Sequence, residues 1–228
     1  ADAKVKAFMP IYSTSPVSVA VLADSGIDTI ADLEGKTIAA APGDSGIKIL
    51  PIAFDKAGAD FAAVKTETVE AATLSGLLIQ GQVDGITTFV TSAMLIDAAA
   101  QKVGKSVKTI NFAAELGVYS NSVLTSDEII ASNPDLVARF KEAAICAYEA
   151  AKADPEAAVE AMNAVVGGLD VPTHVAIARA ALPLVFEDPK FASSGFGWSE
   201  EGVAATLEVA VKAQGVTTGL KPADFIYE

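Results

Sequence analysis

The stretch Thr37-Ile-Ala-Ala-Ala-Pro-Gly-Asp-Ser-Gly46 decides the fold predicted for this chain. Residues 37–41 are small and apolar, which is typical of a short buried strand, and Pro42-Gly43 ends this run with residues of a tight turn. Apolar residues then recur at helical spacing, at Ile47, Leu50 and Phe54. We therefore predict a strand, a short loop and a helix that starts late or kinks at Pro51.

The loop between this strand and helix is the first candidate for a ligand site. Its residues are Gly43, Asp44, Ser45 and Gly46. Free backbone amides and the positive end of a helix dipole favour an anion or polar ligand at such a loop. The pattern matches neither a phosphate-binding P-loop nor a dinucleotide fingerprint, so an ordinary turn, in which Asp44 or Ser45 caps the helix, stays an alternative.

Strands and helices alternate through the first half of the chain. Alternating apolar residues predict strands at 5–9, 17–22, 64–69, 86–90 and 107–113, with helices between several of them. This order indicates a parallel or mixed sheet covered by helices. Ligands of open sheets bind at the carboxyl ends of strands, which places residues 43–46 beside Thr87, Thr88 and Phe89.

Composition excludes several classes of function. The chain has 228 residues, 51% of them hydrophobic, and a formal net charge of −13. Such acidity argues against a nucleic-acid partner. Cys146 and His174 are the only residues of their types, which excludes a disulfide and argues against a metal cluster, a cofactor or a catalytic triad. We expect Cys146 to be a small core residue.

Two polar segments are candidates for crossings between lobes. Tyr12-Ser-Thr-Ser15 lies between the first two predicted strands, with an exposed loop as the equal alternative. Residues 118–124 alternate like a strand that returns, and a regular strand puts Tyr119 and Asn121 on one face.

The last third of the chain is mostly helical. Asn133-Pro134 and Asp154-Pro155 each combine a capping residue with proline at the first helical position. Between the last two predicted helices, the glycine-rich loop 191–198 contains Trp198, the only tryptophan. This side chain forms either the apolar wall of a site or a plug in the surface.

Three segments carry a family resemblance. Ser25-Gly-Ile-Asp-Thr-Ile-Ala-Asp-Leu-Glu-Gly-Lys-Thr-Ile-Ala39, Leu78-Ile-Gln-Gly-Gln-Val-Asp-Gly85 and Ser132-Asn-Pro-Asp-Leu-Val-Ala-Arg-Phe140 resemble motifs of periplasmic solute-binding proteins of ABC transporters. The resemblance is to the branch for nitrate, sulfonate, taurine and thiamine-pyrimidine precursors, which is related to thiamine-pyrimidine synthase.

The resemblance implies a type II periplasmic-binding-protein-like α/β fold, in which a ligand binds in a cleft between two lobes. Lobe one is expected to lack its opening strands, because the chain begins at a segment that follows them in the family. The implied division is residues 1–24 for the remainder of lobe one and a crossing, 25–118 for lobe two, and 119–228 for the return crossing and the helical part of lobe one.

Carried over by position, the family's ligand contacts fall on residues of both lobes. They are Ser13, Thr14, Gly43, Asp44, Ser45, Gly46, Thr87, Thr88, Phe89, Tyr119 and Asn121, to which the aromatic loop adds Trp198. An inward Asp44 favours an amine-bearing or heterocyclic ligand, whereas a capping Asp44 leaves a sulfonate possible.

The function expected from the resemblance is non-enzymatic capture of a small organic solute and its delivery to an ABC transporter permease. The protein is expected to be a periplasmic or extracytoplasmic monomer whose signal peptide is not in this chain. Two alternatives stay open: an enzyme related to the pyrimidine synthase, and a ligand-sensing domain without a transport role.

Overall fold

The computed structural model describes residues 4–215, 219 and 221–227. In chain order these residues form the strands β1 (Val5–Pro10), β2 (Val17–Leu22), β3 (Thr37–Ala40), β4 (Lys65–Thr68), β5 (Gly85–Phe89), β6 (Val107–Ile110) and β7 (Ser122–Ser126). The helices are α1 (Ser45–Ala57), α2 (Leu74–Gln80), α3 (Val90–Gln101), α4 (Asp127–Ser132), α5 (Pro134–Ala153), α6 (Pro155–Val166), α7 (Val171–Phe186), α8 (Pro189–Ser194), α9 (Glu200–Gln214) and α10 (Pro222–Phe225). The predicted α/β class is confirmed.

The chain divides into two compact units. Unit 1 comprises the described residues within Ala1–Ser15, Tyr119–Ala204 and Thr218–Glu228, and unit 2 those within Pro16–Val118 and Ala205–Thr217. The predicted segment 1–24, which is the remainder of lobe one and a crossing, includes β2, a strand of the sheet of unit 2.

Unit 2 is built on a mixed five-stranded sheet with the order β4-β3-β5-β2-β6. Strand β3 runs parallel to β4 and β5, while β2 runs antiparallel to β5 and β6. Strand β2, which lies between β5 and β6, is buried along nearly its whole length because both faces of the sheet are covered. Side chains of Val17, Val19 and Val21 pack with α1 on one face, and Ala20 packs with α2 and α3 on the other.

Helix α1 explains how the organising stretch folds. It begins at Ser45 and runs through Pro51, so the predicted late start is wrong. Leu50 and Phe54 are fully buried against the sheet, and Gly58 ends the helix in the left-handed conformation. The predicted strand, loop and helix are therefore confirmed, and the loop lies at the carboxyl end of β3.

Unit 1 combines a small sheet with most of the helices. Strands β1 and β7 form an antiparallel pair, and Phe8 and Met9 of β1 pack with side chains of the helices in one core. Asn133 and Asp154 cap α5 and α6 with their side chains, as predicted. Among the described residues, none of the helices has both the length and the apolarity needed to span a membrane. Residues 1–3 lie outside the described residues.

Candidate functional site

The loop at the start of α1 carries four of the predicted site residues. Gly43 has a φ of 78°, a left-handed conformation that side chains other than glycine rarely adopt, so the turn after β3 needs glycine there. Asp44 caps the helix, since its Oδ1 accepts a hydrogen bond of 2.9 Å from the Ile47 amide. The amides of Ser45 and Gly46 have no intrahelical acceptor at this position of a helix.

Gly46 brings this loop against β5. A Cβ atom added to Gly46 would lie 3.1 Å from Cγ1 of Val17 and 3.3 Å from Cβ of Thr87, so glycine allows this approach without a shift of either neighbour. Thr87 is 4% exposed, and its hydroxyl is a buried group with no hydrogen-bond partner in the described part of the chain. Of the loop residues, Gly46 is thus in close contact with Thr87. The Thr87 hydroxyl is therefore a polar group beside the loop that makes no hydrogen bond in the described residues.

The three predicted residues at the end of β5 do not share one face. Thr87 and Phe89 point toward α1, where Phe89 packs against the core on that side. Because side chains alternate along a strand, Thr88 lies on the opposite face with Ile86, which packs with α2 and α3. Placing Thr88 beside the loop was therefore wrong.

In unit 1, the segment before β2 is buried rather than an exposed loop. Ser13 and Ser15 are 3% and 2% exposed. Thr14 donates from its hydroxyl to Oδ2 of Asp188 over 2.6 Å, and its amide donates to the carbonyl of Leu184 over 2.9 Å. Both bonds tie this segment to the end of α7 and the start of α8.

Asp188 and Lys190 form a mostly buried ion pair that the sequence reading missed. Nζ of Lys190 lies 2.9 Å from Oδ2 of Asp188, and the two side chains are 13% and 11% exposed. Burial raises the pKa of Asp188, but hydrogen bonds from Thr14 and Lys190 outweigh it, so its pKa lies below the usual 3.8. One signal was available: Asp188-Pro189 repeats the capping signature recognised at Asn133-Pro134 and Asp154-Pro155, and Asp188 does cap α8.

Tyr119 and Trp198 lie together in unit 1. Their rings meet edge to face at 5.1 Å, and the Tyr119 hydroxyl accepts a 2.9 Å hydrogen bond from the Ser199 amide. Trp198 Nε1 is the second buried group without a partner in the described residues. The loop 191–198 was predicted to be irregular, but its first four residues belong to α8.

Asn121 does not share a strand face with Tyr119. Strand β7 begins only at Ser122, so the predicted strand over residues 118–124 is wrong at its start. The carbonyl of Asn121 accepts from the Ile11 amide over 2.9 Å, while the residue itself is exposed. Its backbone holds the segment after β1.

The two residues considered for metal or redox chemistry lie in unit 1. Cys146 is exposed on α5, so the prediction that it is a core residue is wrong. The His174 ring lies 2.9 Å from the carbonyl of Asp170, at the start of α7. Residues 4–215, 219 and 221–227 contain no group of three His, Cys, Asp or Glu side chains able to hold a metal ion.

The predicted site residues thus form two groups, one in each unit, and the fold that carries them is that of periplasmic substrate-binding proteins. Similar solved structures include the periplasmic aliphatic sulphonate binding protein SsuA from Escherichia coli, with a TM-score of 0.68, 19% identity, and coverage of 99% of this chain and 70% of that chain. The periplasmic sulfonate-binding protein SsuA from Methylobacillus flagellatus KT gives a TM-score of 0.65 at 17% identity over 98% of this chain and 66% of that chain. The alkanesulfonate-binding protein SsuA from Xanthomonas axonopodis pv. citri, bound to MOPS, gives a TM-score of 0.59 at 18% identity over 80% of this chain and 60% of that chain.

The chain belongs to the NMT1/THI5-like family, whose pattern it matches over residues 1–158. No curated protein matches the chain at a significant level. The chain spans 60–70% of the length of the three solved relatives named above.

Proposed function

We propose that this chain is an extracytoplasmic solute-binding protein, which captures a small organic solute and delivers it to the permease of an ABC transporter. Family membership and the likeness to binding proteins named for sulfonates support this proposal. The solute is drawn from sulfonates, taurine, nitrate-like anions and pyrimidine-type compounds. The protein acts as a monomer and turns over no substrate.

The observation that carries the proposal is the first turn of α1 in unit 2. Gly46, whose amide has no intrahelical acceptor at this position of the helix, lies against Thr87, and the buried hydroxyl of Thr87 has no partner in the described residues. A buried hydroxyl without a hydrogen bond destabilises a protein by about 1–3 kcal/mol. Such a hydroxyl is expected where a bound ligand forms the missing hydrogen bond after a small local rearrangement of the protein.

Asp44 decides between classes of solute. Its carboxylate caps α1, which is the arrangement that leaves a sulfonate possible. The same negative charge lies in the turn that would hold the sulfonate, so it opposes a simple anion and favours a zwitterion whose ammonium group comes near it. We therefore propose that taurine binds more tightly than an alkanesulfonate of similar length.

A matched pair of variants tests the site. Thr87→Val and Thr88→Val make the same change on opposite faces of β5. Isothermal titration calorimetry with taurine, pentanesulfonate, nitrate and an aminopyrimidine is expected to find at least one ligand. For that ligand, Thr87→Val is expected to weaken binding about five- to tenfold, the effect of one lost hydrogen bond, and Thr88→Val to leave it unchanged.

The melting temperature gives the same pair a second readout. Removing an unsatisfied hydroxyl should make Thr87→Val more stable than the native chain, while its affinity falls. Equal affinities for the native chain and Thr87→Val would show that the solute binds elsewhere. Binding of none of the four probes would remove the support for solute capture by this chain.

Asp44→Asn tests the charge argument, because asparagine still caps the helix. We expect pentanesulfonate to bind about three- to tenfold more tightly and taurine more weakly, since only the carboxylate is lost. The opposite order of effects would mean that Asp44 does not face the solute. Incubation of the chain with each bound probe, followed by NMR of the probe, tests the absence of turnover, and any new product would favour the enzyme alternative.

A further inference from the structure

Unit 1 contains a cavity that is lined by residues of this unit. Its volume is about 610 Å³, within the range of about 300–1,000 Å³ that is usual for small-molecule sites. Three segments enclose it: the start of β1, the start of α9, and the C-terminal segment that includes α10. The side chains that bear on its chemistry are Lys6, Trp198, Glu200, Val203, Ile226 and Tyr227.

The floor of the cavity is apolar and held in place. Val203 and Ile226 are 4% and 8% exposed and belong to one hydrophobic cluster with Tyr119, against which Trp198 packs. Ile226 is bridged to Ala7 of β1, and the Tyr227 amide donates to the Ala7 carbonyl over 2.9 Å. A ring or short alkyl chain therefore finds a pre-formed apolar surface.

The polar groups that bear on the head group of a ligand are mainly donors. The ammonium group of Lys6 uses one hydrogen bond on the carbonyl of Ala223, at 2.7 Å, and has three N–H groups in all. The indole N–H of Trp198 has no acceptor in the described residues, but it is buried, so a ligand in the cavity reaches it only after a local rearrangement. Among the described residues that line the cavity, Glu200 is the only acid, and it is exposed. Donors over an apolar floor fit an acceptor group that carries negative charge.

We propose that this cavity binds a small amphipathic organic acid, whose apolar part lies on Val203 and Ile226 and whose carboxylate faces Lys6. The residues that line this cavity all belong to unit 1. Its occupancy is measured by a signal that no other residue supplies, because Trp198 is the only tryptophan.

The test titrates the full chain with phenylacetate and follows Trp198 fluorescence. Phenylacetamide keeps the acceptor but lacks the charge, and phenethylamine reverses the charge. We expect phenylacetate to bind saturably. Phenylacetamide should bind about five- to tenfold more weakly, which is the size of effect expected for the loss of a charge-assisted hydrogen bond, and phenethylamine should bind most weakly. No saturable change with phenylacetate, or tighter binding of the amine, would overturn the proposal.

Two pairs of variants locate the ligand. Ala223→Phe fills the cavity from its rim, and Ala143→Phe makes the same change at an exposed position of α5. Lys6→Met and Lys4→Met each remove one positive charge, but only Lys6 lines the cavity. We expect Ala223→Phe to abolish binding and Lys6→Met to weaken phenylacetate to the level of the amide, while both controls bind like the native chain.

Circular dichroism and melting temperature confirm that each variant is folded. If the folded Ala223→Phe chain binds phenylacetate as well as the native chain, the ligand lies outside the cavity and the proposal fails. If Lys4→Met weakens binding as much as Lys6→Met, the effect is one of net charge, and the assignment of the carboxylate to Lys6 is wrong.

Discussion

The same substitution at two glycines of unit 2 should change stability in opposite directions. Gly46 lies in the first turn of α1, where an added Cβ would be 2.9 Å from Oδ1 of Asp44 and 3.1 Å from Cγ1 of Val17. Gly76 lies within α2, where the nearest atom to an added Cβ is Nε2 of Gln80, at 3.9 Å. Neither glycine has a positive φ, so the backbone accepts alanine at both.

The magnitudes follow from these contacts. In a helix, alanine is favoured over glycine by about 0.5–1 kcal/mol, and at Gly76 nothing opposes this gain. At Gly46 the gain is opposed by overpacking, which costs about 1–3 kcal/mol. Displacement of the Asp44 cap adds about 1 kcal/mol to that cost. We therefore expect Gly76→Ala to stabilise unit 2 by about 0.5–1 kcal/mol and Gly46→Ala to destabilise it by about 1–3.5 kcal/mol.

Urea denaturation followed by circular dichroism measures both free energies of unfolding in the same background. A native-like spectrum of each variant before denaturation is the control for folding. Because both glycines belong to unit 2, a separate unfolding transition of unit 1 would not affect the comparison. A Gly46→Ala chain as stable as Gly76→Ala would refute the close approach of the loop to β5 and Val17, and with it the geometry proposed for the solute site.

The other predictions concern the loop and unit 1. Gly43→Ala should destabilise the chain by about 1 kcal/mol through its positive φ alone, since nothing lies within 4 Å of an added Cβ; unchanged stability in urea would contradict this. Thr14→Val should cost about 1–3 kcal/mol, because it removes the hydroxyl bond to a buried carboxylate, and a cost below 0.5 kcal/mol in urea would count against the bond. The lowered pKa of Asp188 stabilises the folded state fully above pH 3.8, and this contribution is lost as the pH falls through the pKa of the folded state. The Asp188→Asn chain should therefore lose less stability on acidification than the native chain, which melting temperatures measured at several pH values can show. Cys146 should react with a thiol reagent in the folded chain at nearly the rate of the unfolded chain, and strong protection would contradict its exposure.

The sequence predicted best those elements whose signals are local. Asn133 and Asp154 cap their helices through side chains that reach only three residues along the chain, so a short pattern contains all the information. The loop at residues 43–46 was predictable for the same reason. Its neighbour Thr87 was found because strand ends of an open sheet meet at one edge.

Thr88 and Asn121 were misplaced because their roles depend on where a strand begins and which face a residue occupies. A shift of one residue along a strand moves a side chain to the opposite face of the sheet. Positions 87 and 88 are both threonine, so the residue type does not show which of them faces the loop. For Asn121, residues 118–121 alternate like a strand but find no partner strand until Ser122. Pairing is a tertiary property that alternation alone does not contain.

The buried pair of Asp188 and Lys190 shows a different limit. The cost of burying the Asp188 carboxylate is offset by the ammonium and amide groups of the neighbouring Lys190 and by the hydroxyl of Thr14, which is distant in sequence. Thr14 was singled out as a ligand contact for its hydroxyl, yet that hydroxyl already has an acceptor within the chain. The two groups with unused hydrogen bonds, Thr87 and Trp198, are therefore the stronger candidates for ligand contacts, because a ligand that reaches them replaces no internal bond.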